Sequence, residues 1–115
     1  MTKIIEKQSA NHYQWGNNCD SWILVDTPAL SVKQEKMPAG TKEKLHFHAK
    51  SQQFFFILKG TATFYHGDKK EIIGEQQGIA ISPMVKHYIA NETAAALDFL
   101  VISQPNTNND RIDTK

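Results

Sequence analysis

Apolar positions along this chain come in short runs broken by turn residues, and no stretch carries the periodicity of a long amphipathic helix. Trp22–Val25 and Leu30–Met37 are the first two runs. Leu45-His46-Phe47-His48 alternates strictly, as a strand with one polar face does. Phe54–Leu58 is apolar on both faces. Lys59-Gly60 and the run Thr61–Tyr65 follow it, so this pair predicts a tight hairpin turn. His66-Gly67-Asp68-Lys69 predicts the next turn. Glu71–Ile73, Ile79–Ser82, His87–Ala90 and Ala96–Ser103 complete the series. Many short strands at even spacing predict an all-β sandwich or barrel. The stretch Asn106–Lys115 is polar and Asn-rich, and reads as a frayed or surface tail.

Composition narrows the functional classes. The chain has 115 residues, 13 basic against 12 acidic, for a formal net charge of +1. That length fits one domain with one core. A near-neutral balance offers no electrostatic footprint for nucleic acid. A single cysteine, Cys19, closes no internal disulfide and fits a reducing compartment. No apolar run approaches the ~20 residues of a membrane span, and the first residues lack the apolar core of a secretory signal. The expectation is a cytoplasmic single-domain protein.

The candidate chemistry lies in the histidines His12, His46, His48, His66 and His87. In a strand, His46 and His48 share a face with Cα atoms ~7 Å apart. Two imidazoles so placed can converge on one ion at ~2.1 Å, while Phe47 packs on the opposite face. Gly40 precedes His46, Gln53 follows His48 by five positions, and Gly60 follows Gln53 by seven. Farther on come Ser82-Pro83, His87 and Asn91.

That pattern resembles the two motifs of the cupin superfamily, in particular its small single-domain members, over roughly Leu30–Ser103. The resemblance implies a double-stranded β-helix, a jelly roll around a pocket. It implies an N-terminal segment, 1–29, packed on the barrel or on a partner subunit, a barrel core over 30–103 and a polar tail over 104–115. It also implies a divalent ion, such as zinc, nickel, iron, manganese or cobalt, held by His46, His48, Gln53 and His87. Two departures stand out. Gln53 occupies a position where most metal-binding cupins carry Glu, although one group with Gln there opens unsaturated uronates from pectin and alginate. Gln76 stands where the second motif often has Gly, leaving that turn to Gly74 and Gly78.

Three imidazoles and an amide leave the ion's charge uncompensated, which favours an anionic small-molecule ligand. The resemblance thus points to metal-assisted isomerisation, or related chemistry, of a sugar acid, keto-acid or enol. A ligand-binding module without turnover and a metal-dependent dioxygenase are the alternatives. Gln52 is a second candidate for the liganding amide. Glu35, Glu43, Tyr88 and Asp98 are acid–base candidates by residue type, and strand parity turns Tyr88 away from His87. Arg111 is a candidate anion anchor at the barrel mouth. Cys19, Trp15 and Trp22 read as structural, and His12 and His66 as solvent-exposed. Phe54–Leu58, apolar on two sides in so small a chain, predicts a homodimer interface.

Overall fold

The computed structural model describes residues 2–114. Eleven strands follow a single 3-10 turn at Lys7–Ser9: β1 (Asn11–Trp15), β2 (Cys19–Thr27), β3 (Leu30–Met37), β4 (His46–His48), β5 (Gln52–Lys59), β6 (Ala62–His66), β7 (Lys69–Ile73), β8 (Gly78–Ile81), β9 (His87–Ala90), β10 (Leu97–Gln104) and β11 (Arg111–Asp113). They form two antiparallel sheets, one in the order β1-β2-β3-β10-β5-β8 and the other β11-β4-β9-β6-β7. This is the all-β double-stranded β-helix that the sequence pattern and its resemblance predict. No helix among the described residues is long and apolar enough to cross a membrane.

The inner face of the larger sheet is graded. Met37, Leu97, Phe99 and Ile57 lie at one end, all fully buried, and pack with Phe55 and Phe64 into the apolar core. At the other end the cross-strand row is Ser31–Ser103–Gln53, all three buried and polar. Burial of the apolar end supplies the main driving force of folding. The polar end leaves a cavity between the sheets.

The two motif glycines and the motif asparagine have direct structural roles. Gly40, at φ +74, donates its N–H to the Asn91 carbonyl, and Asn91 donates its own to Thr41. The Asn91 side-chain amide donates to Met37 O at 3.0 Å and Ala95 O at 2.8 Å, tying β3 to the approach of β10. Gly60, at φ +93, lies so close to Ala96 that a Cβ would sit 2.7 Å from its carbonyl oxygen.

Several expectations are corrected. Lys59-Gly60 does not close a hairpin, because β5 pairs with β10 and β8 while β6 pairs with β7 and β9. Gly60 instead carries the chain from one sheet to the other. Gly67-Asp68 does close the β6–β7 hairpin. In the second motif the turn residue is Gln76 itself, at φ +63; it donates its N–H to Ile57 O, and neither Gly74 nor Gly78 is left-handed. Within the segment 1–29, expected to pack on the barrel or on a partner subunit, residues 11–27 form two strands hydrogen-bonded into the larger sheet. His12 is exposed, as expected, and bonded to Asp20 at 2.8 Å, whereas His66 is only partly exposed at the end of β6 and bonded to Glu71 at 2.6 Å.

The polar tail is also structural. β11 pairs with β4, residue Arg111 opposite His48 and Asp113 opposite His46. Just before it, the buried Asp110 carboxylate accepts the backbone N–H groups of Ala49, Lys50 and Ser51 at 2.9–3.2 Å. Hydrogen bonds to a charged acceptor are among the stronger ones in a fold. Asp110→Ala strands three donors and should lower stability by about 3 kcal/mol. Urea unfolding should show the loss as a lower midpoint, with Asp110→Asn in between.

Candidate metal centre

β4 and β9 bring His46 and His87 directly opposite each other, and His48 lies one same-face step along β4. All three are buried, and one ring nitrogen from each lies within 4.8 Å of the others. Ring centroids are 4.4 Å apart for His46–His87, 5.1 Å for His46–His48 and 5.9 Å for His48–His87. From the facing sheet, β5 points Gln53 inward and Gln52 outward, where Gln52 bonds to Gln104. The Gln53 amide Nε2 donates to Ser103 Oγ at 3.0 Å, which aims Oε1 at His87 Nε2, 3.2 Å away.

Backbone carbonyls fix the imidazole tautomers. His46 Nδ1 donates to Lys44 O at 2.7 Å, and His87 Nδ1 donates to Val85 O at 2.9 Å. With the proton on Nδ1, each Nε2 is a bare lone pair. His87 Nε2 therefore faces Gln53 Oε1 with no hydrogen between two acceptors. His48 Nδ1 is buried with no hydrogen-bond partner. Burial holds His46 down at about 3 and His48 at about 4, and lowers His87 as well, so all three rings are neutral at physiological pH. Buried lone pairs that converge without donors are the arrangement a divalent cation satisfies. The residues present fit such an ion.

The same cavity, about 540 Å³, is lined by Glu35, Glu43 and Arg111. Glu35 is buried and accepts the Ser21 hydroxyl, and burial pushes its carboxyl up. Glu43 accepts the Ile89 N–H on Oε1 at 3.0 Å, and its Oε2 lies 3.8 Å from Arg111 Nη1. Burial, then the charge of Glu35, pushes Glu43 up to about 8. Arg111 Nε donates to Asp113 Oδ1 at 2.8 Å. Trp15 lines the cavity, and Cys19 is wholly buried in the core, its thiol pushed up by burial. Asp98 lies on the outer side of β10 between the buried Leu97 and Phe99, and Tyr88 stacks on Tyr65 at 4.6 Å; neither lines the cavity. Trp22 is outside it too, under the ammonium of Lys7.

Sequence reasoning did not single out Tyr13 and Lys33, which also line the cavity. The available signal was the alternation of Ser31, Lys33 and Glu35 on the same face as Met37. Polar residues in line with a core residue mark a wall that closes on a cavity.

Residues 33–103 match the family model of the cupin domain. The chain belongs to the cupin family. No curated protein matches it in sequence. Among solved structures, KdgF from Halomonas sp. superposes with a TM-score of 0.84 at 12% identity, covering 93% of this chain and 98% of that one. A predicted oxalate decarboxylase from Thermotoga maritima gives 0.83 at 18% identity, covering 90% and 100%. A sugar phosphate isomerase of the cupin superfamily from Silicibacter pomeroyi gives 0.78 at 17%, covering 90% and 76%. At these identities the likeness is one of fold.

The buried Glu43 carboxyl titrates at about 8 in the folded chain against an ordinary value of 4.5. The folded state then holds a proton that the unfolded state has released. Stability falls as pH rises from about 4.5 to about 8, and the loss is complete above that. Glu43→Gln removes this penalty while Glu35, Arg111 and Asp113 stay in place around it. In metal-stripped protein the variant should melt about 5 °C or more above wild type at about pH 8.5 and level with it near pH 4.5. A thermal melt at both pH values checks this.

Proposed function

We propose that this cupin binds a divalent metal ion through His46, His48, His87 and Gln53 and acts on a small anionic, oxygenated molecule. A sugar acid, a keto-acid or an enol fits best, and the reaction is an isomerisation or tautomerisation. The observation that carries the reading is the donor-free centre, where His87 Nε2 and Gln53 Oε1 face each other at 3.2 Å with no proton to share. The amide at position 53 is compatible with the Gln-bearing cupins that open unsaturated uronates.

A bound divalent ion supplies Lewis acidity towards a carbonyl or hydroxyl oxygen of the substrate. The chain's own residues do the rest. Arg111 is half-exposed and shared between Glu43 and Asp113, so it can turn to a substrate carboxylate. The Glu43 carboxyl, pushed up to about 8 by burial, holds a proton near neutrality. The Nδ1 protons of His46 and His87 are committed to backbone carbonyls, so those rings cannot relay protons. Of the two cavity carboxyls that burial pushes up, Glu35 is engaged by Ser21, so Glu43 is the one we assign to give or take the proton of the reaction. A carboxyl with that capacity inside the cavity favours turnover over a purely binding role. The test is elemental analysis of the purified protein, followed by a screen of sugar acids and keto-acids with the metal restored, read by NMR. No metal retained and no acid converted would overturn the reading.

Gln53→Glu should tighten divalent-metal binding by roughly tenfold or more, because a carboxylate offsets part of the ion's charge at contact distance. It should weaken binding of an anionic ligand for the same reason. Titrating zinc into stripped wild type and variant side by side gives the answer; equal dissociation constants would remove Gln53 from the ligand set.

We also propose a homodimer built on the outer face of the larger sheet. There Phe54 is 40% exposed and lies across Gly78, where a Cβ would meet its ring at 2.4 Å. Phe56 stacks beside it at 6.2 Å, and Leu58, Leu100 and Ile102 continue the apolar face, each only partly buried. The occupant that fits is the same face of a second copy. Light scattering at micromolar concentration should give twice the monomer mass for wild type and a monomer for Phe54→Asp.

A further inference from the structure

Lys33 lies on the inner face of β3, in the row Ile23–Lys33–Val101–Phe55. Its cross-strand neighbours are apolar, and it is only partly exposed. Its ammonium donates to Tyr13 Oη at 2.9 Å and sits 5.4 Å from the centre of that ring. Among the described residues no carboxylate forms an ion pair with it. Glu35, next on the same face, is engaged by Ser21. The Lys33–Tyr13 contact lies at an exposed point of the wall, so the ammonium is within reach of a ligand entering the cavity. Both Lys33 and Tyr13 line the cavity that His46, His48 and Gln53 also line.

We propose that Lys33 and Tyr13 form a second anion-recognition station on the cavity wall. The ligand is then a small acid that carries a second anionic oxygen group, one end at the histidine centre and Arg111, the other at Lys33. This rests on the anionic-ligand reading above and extends it to the far end of the molecule. Gln53 and Lys33 stand two strands and one same-face step apart, which places their Cα atoms about 12 Å from each other. With both side chains reaching inward, a molecule of roughly four to six carbons bridges the gap. Tyr13 holds the ammonium in place and its hydroxyl can turn to donate to the ligand.

The experiment is calorimetric titration of the zinc-supplemented full chain with butyrate, glutarate and adipate. At least one diacid should bind about tenfold more tightly than butyrate, the gain from one charge-assisted contact. Lys33→Met should abolish that advantage and leave butyrate within about twofold; Lys33→Arg should keep most of it. Methionine suits the apolar row, and circular dichroism confirms that the variant folds. If diacids show no advantage, or the advantage survives in Lys33→Met, the station is overturned and the histidine-centred reading stands. If none of the three acids binds, both readings fall together.

Discussion

The docking of β4 is the constraint on which the rest of the site depends. This strand has only three residues, and it pairs with β9 through His46 opposite His87. A slip of one residue would turn both of its histidines out of the cavity and Phe47 into it, because side chains alternate along a strand. So short a strand cannot hold its own register. It is clamped from both sides: by Gly40 and Asn91 upstream, by Glu43 against Ile89, and by β11 with the Asp110 carboxylate on the far edge. The polar C-terminal stretch is therefore part of the device that aims the histidines, and it delivers Arg111 to the cavity as it does so.

Charge inside the cavity is distributed in a consistent way. The three imidazoles are neutral, and backbone carbonyls fix the tautomers of His46 and His87, so their Nε2 lone pairs remain free. The charges of Arg111 and Lys33 help keep His48 unprotonated. The carboxyls are driven the other way by burial, and Glu43 also by the neighbouring Glu35. A cavity with free ring lone pairs, carboxyls driven towards their protonated form and two cationic side chains on its walls is matched to a cation and an anion together. An anion alone would meet the lone pairs, and a cation alone would meet Arg111 and Lys33. This pairing of demands is the physical basis for reading the site as one that binds a metal ion with an acid.

What the sequence by itself determined was local and periodic. The alternation of Leu45–His48 put His46 and His48 on one face, because the period of a strand is two. β3 and β9 begin and end where their apolar patterns do, and Gly67-Asp68 closes the hairpin its composition suggests. The motif spacing marked Gln53 rather than Gln52, and the fold turns Gln53 inward. Tertiary structure decided the rest. β1 and β11 are polar and exposed along almost their whole length, so neither carries a pattern that marks a strand; backbone pairing with a neighbour makes them so. Lys59-Gly60 has the local chemistry of a hairpin, yet the strands beside it found partners in different sheets, and local sequence does not encode the partner. Along the chain nothing marks Lys33, and Glu35 and Glu43 stand out by residue type alone. Only the closing of one sheet over the other shows that the face they occupy encloses the cavity, because burial is a property of what lies opposite.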